Sequence, residues 1–208
     1  MREPFLEKIE NRPMVCDGAM GTMLYSKGIS LTRCFDELNL SSPQLVKEVH
    51  LAYVKAGAEI LETNTFGASR PRLEKHNQSE KVREINLAGA RLAREVAGED
   101  LYVAGSVGPL GIRLEPLGAT SLEEAREGFR EQIAALAEGG VDLLIVETMS
   151  DPNEAHQALL AARDVCSLPV VVQMTVQDDG STSIGALPED LPANWTSGAR
   201  TSLGSIAA

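Results

Sequence analysis

Residues 15–24, VCDGAMGTML, contain the clearest chemical motif in this 208-residue chain. An apolar run that predicts a strand ends at Asp17, and Gly18 and Gly21 follow it. A carboxylate at a strand end can bind a cation, and backbone N–H groups freed by glycines can bind an anion. The segment therefore predicts the floor of a small polar site. The alternative is an ordinary Asp-Gly turn, because that dipeptide is among the commonest in turns.

Other predicted strands also carry polar residues at or near their ends. These are Glu62, Thr63, Asn64, Thr65, Ser106, Glu147, Thr148, Gln173 and Thr175. A polar group inside an apolar strand is costly to bury unless it is hydrogen-bonded or used. Each of these residues alone also fits a hydrogen-bonded core position. Asp17 and Glu147, however, both take the last position of a strand, which favours a shared site.

Histidines and cysteines give weaker signals. The three histidines fall on or beside predicted helices and are expected to face solvent: His50, His76 and His156. The three cysteines are too few and too scattered to predict a disulfide framework or a three-thiolate zinc site: Cys16, Cys34 and Cys166. The first and last of them fit small buried hydrophobic positions. The glycine-rich segment 105–111, GSVGPLG, is a weak candidate for a phosphate loop, because it lacks the GxGxxG pattern and no helix follows directly.

The elements that must position these residues alternate along the chain. Strands are predicted at 13–17, 59–66, 101–107, 142–147 and 169–176, and helices at 42–56, 79–97, 121–138 and 152–165. Runs such as LLIV and VVV are typical of parallel strands covered on both faces. The chain is therefore predicted to be an α/β protein with about five βα units.

Two α/β architectures fit this order, a doubly wound sheet and part of a (β/α)8 barrel. Extra sequence follows the first three strands, at 18–42, 67–78 and 108–120, where both architectures place their active sites. Three further barrel units would need roughly 90 residues, more than remain after residue 176. Residues 191–208 show neither helical nor strand periodicity, so we predict part of a barrel at 1–190 and an irregular tail at 191–208.

Charge and composition limit the function classes. The net charge of −11 argues against a nucleic-acid-binding surface or a basic membrane-docking face. The sequence has no apolar run of eighteen residues, and residues 1–12 lack the apolar core of a signal peptide. A cytoplasmic protein is the expectation.

Four motifs in register carry a family resemblance: DGAMGTML at 17–24, ETNTF at 62–66, SVGPLG at 106–111 and LLIVETM at 143–149. In this order and spacing, the chain resembles the homocysteine S-methyltransferase family over about residues 12–190. That family includes the homocysteine-binding barrel of methionine synthases, betaine–homocysteine methyltransferases and bifunctional proteins joined to a methylenetetrahydrofolate reductase. Residues 17–28 and 33–46 are most similar to the bifunctional type.

The resemblance implies a (β/α)8 barrel that transfers a methyl group to a zinc-bound homocysteine thiolate, forming methionine. Backbone N–H groups of Asp17, Gly18, Ala19, Met20, Gly21 and Thr22 would bind the substrate carboxylate. Asp17 and Glu147 would receive its ammonium group, with Asn64, Thr65 and Ser106 beside them in the pocket. The resemblance does not identify the methyl donor, since folate, cobalamin and other compounds all fit. It also implies a further reductase domain or an oligomer partner.

One departure from the family pattern concerns the metal. The family's zinc thiolates come from Asn-Cys and Gly-Gly-Cys-Cys motifs, and neither is present in this sequence. We therefore expect the amino-terminal five-eighths of such a barrel, without its metal ligands. Two alternatives stay open: a non-catalytic amino-acid-binding half-barrel that a partner completes, and a doubly wound enzyme for a phosphorylated ligand.

Overall fold

A parallel sheet forms the centre of the protein. The structure is a computed structural model that describes residues 2–187 and the backbone of residues 201–207. Its strands follow one another in chain order: β1 (Ile60–Glu62), β2 (Tyr102–Val107), β3 (Leu143–Met149), β4 (Val170–Val176) and β5 (Thr201–Ala207). This unbroken order is that of a section of a (β/α)8 barrel, since a doubly wound sheet reverses its order at a switch point. The α/β barrel prediction is confirmed, and the doubly wound alternative is wrong.

Helices connect and cover the strands. They are α1 (Phe5–Asn11), α2 (Met20–Ser26), α3 (Leu38–Ser41), α4 (Pro43–Ala56), α5 (Arg70–Glu74), α6 (Val82–Ala97), α7 (Leu122–Glu138) and α8 (Pro152–Val165), with a 3₁₀ turn at Ser79–Lys81. Local sequence explains several of their ends. Proline begins α4 and α8, Gly57 ends α4 with φ 100°, and Ser121 and Glu124 form a capping box on α7. None of the described helices is long and apolar enough to cross a lipid bilayer.

Three predicted segments differ from the structure. The strand expected at 13–17 is reduced to one parallel bridge, between Cys16 and Ile60. The strand expected at 59–66 is only three residues long, because the chain turns after Glu62 and the Thr65 N–H bonds the Thr63 carbonyl at 2.8 Å. The tail predicted to be irregular at 191–208 contains β5, which pairs in parallel with β4; residues 188–200 lie outside the described residues.

The two faces of the sheet pack against different partners. Side chains such as Leu61, Val103 and Leu144 belong to the large core that the sheet forms with the outer helices. The alternate positions, including Ile60 and Tyr102, face the interior of the barrel, where Phe5 of α1 packs edge-on against Tyr102 with 5.5 Å between ring centroids. Helix α1 therefore closes one end of the interior.

The inward-facing row of each strand changes from apolar to polar along the strand. Since side chains alternate with a period of two, the inward rows are Ile60 and Glu62; Tyr102, Ala104 and Ser106; Leu143, Ile145 and Glu147; and Val171 and Gln173. In each of these rows a polar side chain follows the apolar ones, toward the carboxyl end of the strand. The sheet therefore brings these polar side chains together at its carboxyl end, opposite α1.

Candidate functional site

A large cavity lies at the carboxyl ends of the strands. Its volume is about 860 Å³, within the usual range for small-molecule sites. Its lining includes nearly all the residues predicted from sequence: Asp17, Gly18, Ala19, Met20, Gly21, Thr22, Asn64, Thr65, Ser106 and Glu147. Cys16, Glu62 and Gln173 join them.

Asp17 lies at the base of this cavity. Its side chain is only 2% exposed, and its two carboxylate oxygens accept the backbone N–H of Glu62 at 3.0 and 3.1 Å. Burial raises the pKa of Asp17 to about 7, and the charge of Glu147 adds to this effect. Asp17 is therefore fixed in position but poorly solvated, so a cation in the cavity would stabilise its ionised form.

Two glutamates complete an acidic floor with Asp17. Burial, and then the charge of Glu147, raises the pKa of Glu62, and Glu62 Oε1 accepts the Cys16 thiol at 3.1 Å. Glu147 Oε1 accepts the Ser106 hydroxyl at 2.6 Å. Beside Glu147, Thr148 has φ 61° and the pairing of β3 with β4 shifts register. Three carboxyl groups this close repel one another when ionised, so the floor favours a bound proton or a bound cation.

Two threonines in the turn after β1 support the floor indirectly. Thr65 Oγ1 donates to the Ser106 carbonyl at 2.8 Å and lies 2.6 Å from Thr63 Oγ1. Thr63 Oγ1 in turn accepts the Ser106 N–H at 3.0 Å. Asn64 Nδ2 donates to the Phe35 carbonyl at 2.8 Å. These bonds fix the loop after β1 and the position of Ser106.

The glycine turn after Asp17 leads directly into α2. Ala19 precedes this helix without a side-chain capping bond, so the first N–H groups of α2 lack a partner within the helix. The Tyr53 hydroxyl donates to the Ala19 carbonyl at 3.0 Å, and a Cβ at Gly18 would lie 3.1 Å from the Tyr53 ring. Tyr53 therefore holds the turn against the cavity, and glycine permits the close approach.

Cys16, Asp17 and Glu62 form the one group among the described residues with metal-ligand spacing, their ligand atoms lying within 4.8 Å of one another. Zinc sites in proteins are built mainly from thiolate and imidazole ligands, with at most one carboxylate in the common ligand sets. Here the single thiol donates to Glu62, and burial followed by the charge of Glu62 raises the pKa of Cys16. Both Asp17 oxygens already accept the Glu62 N–H. The described residues therefore do not fit the zinc that the family resemblance implies.

Several residues have roles that the sequence prediction missed. His50 is fully buried rather than solvent-facing, with Nδ1 3.9 Å from Asp17 Oδ2, and burial lowers its pKa to about 4. Its position four residues after the apolar Val46, on the same face of the helix, was the available signal. Cys16 lines the cavity instead of packing only as a small hydrophobe, whereas Cys166 lies at the end of α8.

The segment at 105–111 does not act as a phosphate loop through its own N–H groups. The Gly108 N–H bonds the Phe66 carbonyl at 3.1 Å, and the Leu110 N–H bonds Glu154 Oε1 at 2.7 Å. These bonds fasten the segment to the loop after β1 and to α8.

Comparison with known proteins identifies the family. The sequence matches the homocysteine S-methyltransferase family over residues 14–204. The chain belongs to this family. The match extends past residue 190, where the sequence prediction ended the barrel, and the boundary between barrel and tail stays a prediction.

Homocysteine methyltransferases and methionine synthases are among the proteins most similar to this family member. The homocysteine methyltransferase MmuM from Escherichia coli, in its metallated form, superposes with a TM-score of 0.84 at 25% identity, covering 98% of this chain and 77% of MmuM. Methionine synthases from Mycobacterium leprae and Mycobacterium tuberculosis are 34% and 32% identical over 198 residues. That region is 87% of this chain but only 16% of either methionine synthase.

Proposed function

We propose that the cavity binds homocysteine and that the chain provides the homocysteine-binding site of a methyltransferase. This enzyme transfers a methyl group to the homocysteine thiol and forms methionine. The acidic floor of Asp17, Glu62 and Glu147 is the observation that supports this proposal. An ammonium group has three N–H donors and one positive charge. It would satisfy carboxylates that the fold has placed together and desolvated.

The rest of an amino-acid substrate also has counterparts in the cavity. The substrate carboxylate would bind the N–H groups of residues 18–22 at the start of α2, where negative charge is favoured. With the ammonium and carboxylate groups on the α-carbon both bound, the thiol-bearing side chain is directed into the remaining space. The described residues thus bind and orient the nucleophile, which lowers the entropic part of the barrier.

The proposed reaction is a displacement at carbon. The homocysteine sulfur loses its proton and attacks the methyl carbon, a sulfur–carbon bond forms, and the bond to the donor breaks with its electron pair leaving on the donor. A zinc ion in this family would lower the thiol pKa. Because the described residues do not fit such an ion, we assign them binding and orientation and no step through the metal.

Binding measurements with a matched pair of glutamates test the proposal. We expect Glu62→Gln to weaken homocysteine binding about tenfold or more at pH 8, the cost of a lost hydrogen bond to a charged group. Glu59→Gln is the control, because Glu59 immediately precedes β1 but pairs with Arg12 away from the cavity. Titration calorimetry measures both variants.

A substrate analogue makes the test specific for the ammonium group. 4-Sulfanylbutanoate has the thiol and carboxylate of homocysteine but no amino group, so it should bind more weakly than homocysteine and be insensitive to Glu62→Gln. Equal affinity of the wild-type chain for the two compounds would overturn the proposed role of the acidic floor.

A further inference from the structure

The cavity also has a cationic wall, which the homocysteine proposal does not use. Arg33, Arg72, Lys75 and His76 contribute to the lining from the loops that follow Asp17 and β1. Arg33 is paired with Glu37 at 3.0 Å. Within the described part of the chain, neither Arg72 nor Lys75 has a carboxylate within 4.0 Å, although the protein is strongly acidic overall.

Arg72 is held in place without an acceptor for one of its donors. Its guanidinium carbon lies 5.6 Å from the centre of the Phe66 ring, and its Nε is buried with no hydrogen-bond partner among the described residues. A buried donor without a partner costs about 1–3 kcal/mol. The arrangement therefore points to an acceptor that the protein itself does not supply.

Arg72 also acts as a counter-charge to nearby carboxylates, but this role leaves one of its N–H donors without an acceptor in the part of the chain that the structure describes. Burial raises the pKa of Asp36 and of Glu154, and the positive charge of Arg72 offsets part of this effect. Those carboxylates, however, accept backbone N–H groups, from Gly67 and Leu110 respectively, both at distances below 3 Å. The Nε donor of Arg72 therefore still lacks an acceptor among the described residues.

Lys75 converges on the same place as Arg72. Its Nζ donates to the Gly111 carbonyl at 3.1 Å. Gly111 has φ 72°, and a Cβ built there would lie 3.0 Å from Arg72 Cδ and 3.2 Å from Lys75 Nζ. Glycine at this position thus leaves room for both cations, so the glycine-rich segment 105–111 contributes space rather than N–H donors.

We propose that Arg72 and Lys75 bind an oxyanion, a carboxylate or a phosphate, that belongs to the methyl donor. This inference rests on the proposed function. A donor must bring its methyl group to the homocysteine sulfur, so it shares the cavity, and the floor and the turn at 18–22 already serve the charges of the amino acid. Arginine binds carboxylate and phosphate through paired N–H donors. We therefore expect this site to favour methyl donors that carry a carboxylate or a phosphate over methyl donors that carry only positive charge.

The test compares donors and two arginines of the same helix. Calorimetry would measure binding of S-methylmethionine, 5-methyltetrahydrofolate and methylcobalamin to the homocysteine-saturated chain; the first two carry carboxylates and the third a phosphate. We expect Arg72→Gln to weaken the donor that binds about tenfold, as for a lost charge-assisted hydrogen bond. Arg70→Gln is the control, because Arg70 also lies in α5 but pairs with Glu131 outside the cavity. The methyl ester of S-methylmethionine, which lacks the oxyanion, should be insensitive to Arg72→Gln.

The outcomes separate this proposal from the proposed function. Homocysteine binding to the wild-type chain is measured first, so its absence would refute the proposed function alone. The oxyanion site is then judged by titrating the same donors without homocysteine. Donor affinities that are equal in wild type and Arg72→Gln, or equally reduced in Arg70→Gln, would overturn the oxyanion site, as would failure of all three donors to bind.

Discussion

Replacing Asp17 by asparagine tests whether the acidic floor is destabilising in the free protein. Burial raises the pKa of Asp17 from its usual 3.8 to about 7. The folded chain therefore holds a proton that the unfolded chain releases between these two values. Stability is lost as pH rises through this window and is constant above it. Asparagine keeps the shape and a carbonyl acceptor for the Glu62 N–H but cannot ionise.

The size of the effect follows from the window. From pH 5 to pH 8, about two pKa units of the window are crossed, which corresponds to about 3 kcal/mol in the free energy of unfolding. His50 acts in the opposite sense, because its pKa is lowered to about 4 and stability rises with pH up to about 6.5. His50 is present in wild type and variant, so its own contribution cancels in the difference. Glu62 titrates in the same range and its pKa is raised by burial and in part by Asp17, so the difference reports Asp17 together with its coupling to Glu62.

Urea unfolding at pH 5 and pH 8 measures this difference. We expect the free energy of unfolding of Asp17→Asn, relative to that of wild type, to be about 3 kcal/mol higher at pH 8 than at pH 5. Asp164→Asn is the control, because pairing with Arg126 and Arg130 lowers the pKa of Asp164 and leaves it ionised throughout the range. A difference between wild type and Asp17→Asn that does not change with pH would refute the reasoning.

Two further predictions concern the framework and use the same unfolding assay. Gly108→Ala should cost about 2 kcal/mol, because the new Cβ would lie 2.5 Å from the Phe66 ring and 2.7 Å from its carbonyl oxygen. Gly128→Ala in the middle of α7 should instead stabilise by about 0.5–1 kcal/mol, since its Cβ meets only Leu110 at 3.6 Å; the same sign for both changes would contradict the packing described. Ser121→Ala should cost about 1 kcal/mol by removing the α7 capping box, and an unchanged midpoint would show that the box contributes nothing.

Much of the fold follows from local patterns in the sequence. Consecutive apolar residues such as those at 143–146 require cover on both faces of a strand, and proline and serine mark the starts of α4, α7 and α8. The association of Asp17 with Glu147 was likewise visible, although Asp17 follows a single bridge at Cys16 and Glu147 lies two residues before the end of β3. These signals need only the neighbouring residues and the period of the element. They correctly predicted that the cavity lies at the carboxyl ends of the strands.

The remaining features depend on contacts between distant segments. In the sequence, Glu62 is one of four consecutive polar residues at 62–65. Its place in the acidic floor is set by the bridge between Cys16 and Ile60, which brings the Asp17 carboxylate to the backbone N–H of Glu62. His50 was expected to face solvent, but it belongs to the buried face of α4 with Val46 and Val49, and its Nδ1 lies 3.9 Å from Asp17 Oδ2. The same physical cause underlies both cases. Side chains are desolvated by elements far away in sequence, and this desolvation raises the pKa values of Asp17 and Glu62 and lowers that of His50.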